Sequence, residues 1–284
     1  MTSFKSSLFY LLLILLPKNL LSRFIGRLVS IRWPRPLARV IVRGFAHIFS
    51  IDVSEAEKQI DEYGSVQEFF IRRLKPGARK LPDGANLLLS PCDGVMSETG
   101  FIKHGQLIQA KGKTYQLRDL VGSQEIANCF EGGYFATIYL SPRDYHRFHM
   151  PCDGVIKQTI YIPGALWPVN AWAVRNINNL FCINERIISM LKTEHDKLLA
   201  NIAVGATNVG KIKLEYCSIE SNLDGKASMI KHDNQIKMNK GQELGRFMFG
   251  STVIILCEQG LIDTFFKPAP AKVKMGEVLA YIKS

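Results

Sequence analysis

The first fifty residues contain no aspartate and no glutamate, although eight basic residues fall among them: Lys5, Lys18, Arg23, Arg27, Arg32, Arg35, Arg39 and Arg43. The whole chain of 284 residues carries a net charge of +11, and beyond Ser50 the 28 basic and 25 acidic residues leave only +3. The positive excess is therefore a property of one end. In nucleic-acid-binding segments basic residues stand among polar ones that reach a phosphate backbone. Here they alternate with Leu, Ile, Phe and Trp, which argues against nucleic acid and for an anionic membrane surface.

Other absences narrow the reading. The six cysteines (Cys92, Cys129, Cys152, Cys182, Cys217, Cys257) include no C-x-x-C pair, so reduced, mostly buried thiols in a cytosolic compartment are expected. The apolar run Leu8 to Leu16 stops at Pro17 and Lys18, well short of the roughly 20 residues that a spanning helix needs. No small-x-small cleavage site follows it, which disfavours a signal peptide; a mitochondrial presequence stays as the lesser alternative. No G-x-S-x-G elbow is present, which disfavours an α/β-type serine hydrolase.

What is present at the N-terminus is helical periodicity. Leu21, Phe24, Ile25, Leu28 and Val29 recur at helical spacing, and beyond Pro34 and Pro36 so do Leu37, Val40, Ile41, Phe45 and Ile48. Arg39, Arg43 and His47 share a face. Two basic amphipathic helices lying in the headgroup layer are expected. The helical pattern continues from Val53 to Lys75, with Ser65 and Glu68 as a capping box before Phe69, Phe70 and Leu74. Beyond Lys75-Pro76-Gly77 the signal turns to strands: Phe135 to Leu140, Val155 to Ile162, Ile202 to Ala206, Val209 to Cys217 and Thr252 to Cys257. A helix is expected over Asn184 to Leu191. The fold class is α+β, with a helical membrane-binding region over 1–75 and a mainly β catalytic domain over 76–284. Pro91-Cys92-Asp93-Gly94-Val95 recurs as Pro151-Cys152-Asp153-Gly154-Val155, an echo compatible with a duplicated β unit.

Three clusters carry groups able to do chemistry: Asp93, the run Ser141 to His149 with two of the six histidines, and the run Lys240 to Thr252. A serine hydroxyl is a weak nucleophile until an imidazole takes its proton, and a carboxylate fixes that imidazole's tautomer. Residue types alone leave other readings open. One is a metal-dependent hydrolase using His146, His149 and Asp144 or Asp153; another is a membrane-binding module without activity.

The order P-x-D-G, then S-P-R-D-Y-H-R-x-H-M-P-C, then K-G-x-E-x-G-x-F-x-x-G-S-T resembles the phosphatidylserine decarboxylase family in its bacterial and mitochondrial-type branch. Tyr161-Ile162-Pro163-Gly164, Asn184-Glu185-Arg186 and Val204-Gly205-Ala206 extend the likeness. The resemblance implies self-cleavage between Gly250 and Ser251, with Asp93, His149 and Ser251 as the triad. It implies a β chain of residues 1–250 paired with an α chain of 251–284, further dimerisation being left open. The resemblance further implies that Ser251 becomes a covalent pyruvoyl cofactor, without a metal, whose ketone forms a Schiff base with phosphatidylserine. Carbon dioxide then leaves, and phosphatidylethanolamine is released. His146 is implied as the proton handler of that second reaction, and Asp153 as a turn residue. The expected place is the cytoplasmic face of the cell membrane, held peripherally, with the mitochondrial inner membrane as the lesser alternative.

Overall fold

The computed structural model describes residues 18–207, 211–221, 226–248 and 251–283. The run Leu8 to Leu16, the residues Val209 and Gly210, and Phe249 and Gly250 lie outside them.

Two helices open the described chain, α1 (Lys18–Ser30) and α2 (Arg35–Ile48), the second entered through Pro34 with a proline in its first turn. Helix α2 buries only the small stripe Ala38, Val42 and Ala46, against Ile51, Tyr63 and Phe69. Phe45 packs against Phe69 and Phe70, but other large apolar residues face outward: Val40 is 67% and Ile48 75% exposed, as Phe24 of α1 is 64%. The basic face is partly turned inward, because Arg39 and Arg43 both pair with Asp61, at 3.2 and 2.7 Å. No described helix is long and apolar enough to cross a membrane.

The helical pattern over Val53 to Lys75 yields only a 3-10 turn (Ile60–Glu62) and a short helix α3 (Val66–Phe70). The capping box is half made. Ser65 Oγ accepts from the Glu68 N–H at 3.1 Å, but Glu68 accepts from Gly64 N and Lys58 instead of returning to Ser65. Leu74 lies past the helix, bridged to Ala56.

The body is mainly β. Its strands are β1 (Leu87–Leu89), β2 (Gly94–Phe101), β3 (Gln106–Ala110), β4 (Lys113–Gln116), β5 (Tyr134–Leu140), β6 (Arg147–His149), β7 (Gly154–Ile162) and β8 (Arg186–Thr193). They continue with β9 (Leu198–Val204), β10 (Ile212–Leu214), β11 (Ser228–Met238), β12 (Glu243–Phe247), β13 (Ser251–Cys257), β14 (Ala271–Val273) and β15 (Val278–Tyr281). Short helices α4 (Leu117–Val121), α5 (Gln124–Asn128), α6 (Ala171–Asn176) and α7 (Leu180–Ile183) fill connections. The helix expected over Asn184 to Leu191 is instead strand β8, paired on both sides. Ile187, Ile188, Met190 and Leu191 are buried on both faces, and such a run cannot be told from a buried helix by periodicity.

An antiparallel sheet of eight strands in the order β11-β7-β8-β9-β13-β5-β2-β14 forms the frame. Strand β13 runs through its middle with all seven residues buried. Val253, Ile255 and Cys257 face a core shared with Phe148, Phe247 and Leu244 of the β10-β12-β6 sheet and with Leu88 and Leu279 of the β1-β15 pair. Ile254 and Leu256 face a second core, which also takes in Leu107 and Tyr115 of the β3-β4 hairpin and Leu117 and Leu180 of α4 and α7. Alternation along the strand places Ser251 on the first face.

The two P-C-D-G-V copies enter β2 and β7 through the same turn. Each glycine packs against a neighbouring strand: a Cβ on Gly94 would lie 2.4 Å from the Tyr139 carbonyl oxygen, and one on Gly154 2.6 Å from that of Lys192. Strand β14 pairs with β2 as β11 pairs with β7, and β15 with β1 as β12 with β6. The hydrogen bonds match position for position. Leu89 N donates to Pro91's counterpart Pro151, and His149 N donates to Pro91, each at 2.8 Å. Asp93 Oδ1 accepts from Met275 N where Asp153 Oδ1 accepts from Lys240 N.

Candidate active site

The topology gathers the three motif clusters at one end of the large sheet. Strand β5 ends with Leu140 opposite Ser251, and the chain continues directly into the Ser141 to His149 run. Val95 of β2 lies opposite Tyr139, which lies opposite Thr252. Asp93 and Ser251 therefore sit at the same sheet end, about 10 Å apart across two strand spacings. His149 is drawn in by its backbone bond to Pro91.

Ser251 is fully buried, and its Oγ has no hydrogen-bond partner among the described residues. A buried hydroxyl left unpartnered costs about 1–3 kcal/mol, and Thr252 Oγ1 beside it is likewise without a partner among the described residues. His149 is held at both nitrogens. Nδ1 lies 2.8 Å from the Gly241 carbonyl oxygen. A carbonyl can only accept, so Nδ1 carries the proton and Nε2 keeps the lone pair. The Tyr145 hydroxyl, 3.1 Å away, donates to Nε2, and the two rings stack with centroids 5.6 Å apart. Burial, with Arg147 and Arg79 nearby, lowers the His149 pKa to about 4 against the opposing Gly241 bond. It is thus an uncharged imidazole at neutral pH, with a phenol on its basic nitrogen.

Asp93 makes no hydrogen bond to His149. Its Oδ2 accepts from Arg79 Nη2 at 2.8 Å and its Oδ1 from Met275 N at 2.7 Å, while Arg79 also pairs with Glu55 at 2.6 Å. Neither Asp93 nor His149 hydrogen-bonds Ser251 Oγ, and the groups that orient the imidazole are Gly241 and Tyr145. His146 is completely buried. Its Nδ1–H donates to the Asp144 carbonyl at 2.8 Å, Nε2 has no partner among the described residues, and the ring lies 3.9 Å from that of Phe70. Burial lowers its pKa to about 3, so it too is neutral.

The surrounding motif residues build the frame. Asp144 accepts from the Ser141 N–H and hydroxyl at 2.7 and 2.6 Å. Arg147 Nη1 donates to both Glu243 carboxylate oxygens at 2.6 and 2.8 Å and Nη2 to the Ile71 carbonyl at 2.7 Å, bolting the end of α3 to β6. Asp153 caps Lys240 as a turn residue does. Among the described residues no three His, Cys, Asp or Glu side chains cluster to hold a metal ion. A cleft of about 670 Å³ opens beside His149 and Tyr145 and is also lined by Arg79 and Gly241.

Sequence reasoning passed over Tyr145, Arg79 and Gly241. Tyr145 sits inside the S-P-R-D-Y-H run and was readable as a polar aromatic four residues before His149. Gly241 acts through its carbonyl, and Arg79 through a contact 14 residues distant, so neither leaves a local signal.

Residues 66–281 match the family described as Phosphatidylserine decarboxylase. Curated relatives carry the name phosphatidylserine decarboxylase proenzyme. The one from Anaeromyxobacter sp. (strain K) is 44% identical over 277 residues, covering 96% of this chain and 97% of its own. That from Myxococcus xanthus (strain DK1622) is 41% identical over 250 residues, covering 88% and 89%. That from Brevibacillus brevis is 40% identical over 272 residues, covering 95% and 96%. These relatives are all made as proenzymes, a class whose chain is processed before it works. The chain belongs to the phosphatidylserine decarboxylase family.

Proposed function

We propose that the chain cuts itself between Gly250 and Ser251 and then converts phosphatidylserine to phosphatidylethanolamine. The observation that carries this is the buried, unpartnered Ser251 Oγ at the head of the central strand, at the same sheet end as a neutral His149.

His149 Nε2 takes the Ser251 hydroxyl proton once Tyr145 releases it. Oγ bonds to the Gly250 carbonyl carbon, the C–N bond breaks, and the freed nitrogen takes a proton, leaving an ester. Loss of the Ser251 Cα proton then breaks the Cβ–Oγ bond, giving a Gly250 carboxylate and a dehydroalanine. Water replaces its nitrogen, ammonia leaves, and a pyruvoyl group remains. The products are a β chain of residues 1–250 and an α chain of 251–284. The surroundings fit that group: no hydrogen bond from a described residue ties the Ser251 side chain, and strand β13 fixes the backbone behind it. The group supplies an electron-withdrawing carbonyl that condenses with the substrate amine.

The chain's own residues do the remaining work. Gly241 keeps the proton on His149 Nδ1, Arg79 holds the Asp93 side chain in place, and the stacked core excludes water. His146 offers the free Nε2 lone pair for proton handling during decarboxylation. Residues 1–75 form the membrane-binding region and 76–284 the catalytic domain. Support for membrane binding comes from the outward apolar residues of α1 and α2 beside an acid-free basic sequence. The protein then works peripherally at the cytoplasmic face of the cell membrane, where its anionic substrate lies. The matched strand pairs and turns around Asp93 and Asp153 support a duplicated β unit, in which His149 takes the place of Leu89.

Three variants test the scheme by gel mobility and by decarboxylation of phosphatidylserine. Ser251→Ala and His149→Ala remain single chains without activity, whereas His146→Ala is cut but turns over poorly. Complete cutting of His149→Ala contradicts its role as base, and full turnover of His146→Ala removes it from the second reaction.

A further inference from the structure

The cleft beside His149 has a charge balance that its lining composition conceals. Glu243 is consumed by Arg147 Nη1 and by Arg246, and Glu215 by Arg246. Arg79 is consumed by Glu55 and Asp93. Arg73, Lys75 and Lys237 also line the cleft. All three are exposed and have no ion pair or hydrogen bond from their side chains among the described residues. Every acid of the lining is thus neutralised, and three cations are left over. Leu74, Leu81 and Met238 give the same walls an apolar component.

An uncompensated cluster of cations at a cleft whose inner wall carries the base concentrates and orients an anion. We propose that Arg73, Lys75 and Lys237 bind the phosphodiester of the lipid headgroup, which brings the serine end toward Tyr145 and His149 while the glycerol lies on Leu74 and Met238. This rests on the decarboxylase reading and adds the residues that select a phosphorylated headgroup over free serine. The three cations come from two segments, 73–75 and 237, that flank the cleft, so a phosphate between them is held from both sides.

The test uses mature enzyme acting on phosphatidylserine in neutral detergent micelles, with soluble glycerophosphoserine as competing ligand, so that attraction to a charged vesicle plays no part. Arg73→Gln, Lys75→Gln and Lys237→Gln each raise the glycerophosphoserine inhibition constant about threefold, and the triple variant raises it more than tenfold. Inorganic phosphate competes more weakly than glycerophosphoserine, and its inhibition falls in parallel. Unchanged inhibition constants in variants that cut themselves normally overturn the proposal, as does equal potency of inorganic phosphate. Failure of the unaltered chain to cut itself or to decarboxylate is a separate result, and it removes the decarboxylase reading instead.

Discussion

At the scale of single residues the decisive feature is who owns the lone pair of His149. A neutral imidazole has one, and here it accepts from Tyr145 while Ser251 Oγ stands without a described partner. Cleavage requires that bond to be surrendered. Tyr145→Phe keeps the ring stack and removes the competing donor. It should therefore shorten the half-time of self-cleavage, by about twofold to tenfold if the bond contributes 0.5–1.5 kcal/mol. Time-resolved gel analysis of freshly translated chain measures this; slower cutting means that the phenol assists the base and does not mask it. The positions Asp93, His149 and Ser251, proposed as the triad, were singled out because the motif runs carry them, and the pairing of Asp93 with Arg79 instead of His149 was not legible. Arg79 and Gly241 were not legible, because a charge contact and a carbonyl contact between distant segments leave no trace in local spacing.

At the scale of elements, strands were readable where alternation or β-branched runs met turn residues, as in β5, β7 and β13. The error at β8 has a physical cause: a strand buried on both faces shows no period of two, and its apolar run imitates a buried helix. The short strands β1, β6, β14 and β15 were invisible, since three or four residues carry too little pattern and are fixed by partners far along the chain. The helices α1 and α2 were located correctly, but part of the expected lipid-facing charge pairs with Asp61. The proposed membrane attachment would then rest more on apolar side chains than the sequence suggested. Replacing Phe24, Leu28 and Val40 together by serine should reduce sedimentation with anionic vesicles at least tenfold. Self-cleavage should continue, because these side chains are exposed and lie outside both cores. Retained vesicle binding contradicts the assignment of this face.

At the scale of the whole molecule, the proposed cut falls at the head of a strand whose seven residues are all buried. Strand β13 lies between β9 and β5 with cores on both faces, so a cut before Ser251 would leave the new chain of 34 residues anchored through two ladders. The buried histidines also set the pH response. Both folded-state pKa values, about 4 for His149 and about 3 for His146, lie below the unfolded value near 6.5. The unfolded chain binds more protons in that window. Their contribution to stability is therefore complete above pH 6.5 and is lost as pH falls toward 4, by of the order of 3 kcal/mol for His149. Thermal melting of Ser251→Ala, which stays uncut, should fall over this range, and less steeply in Ser251→Ala/His149→Asn. Identical slopes would show that other groups dominate.

The central claim is that one peptide bond is broken by the side chain that follows it. Intact-mass measurement of purified, active protein tests this directly. The account predicts two chains that divide after Gly250, the smaller lacking a free N-terminal amine. A fully active single polypeptide of 32.0 kDa would contradict it.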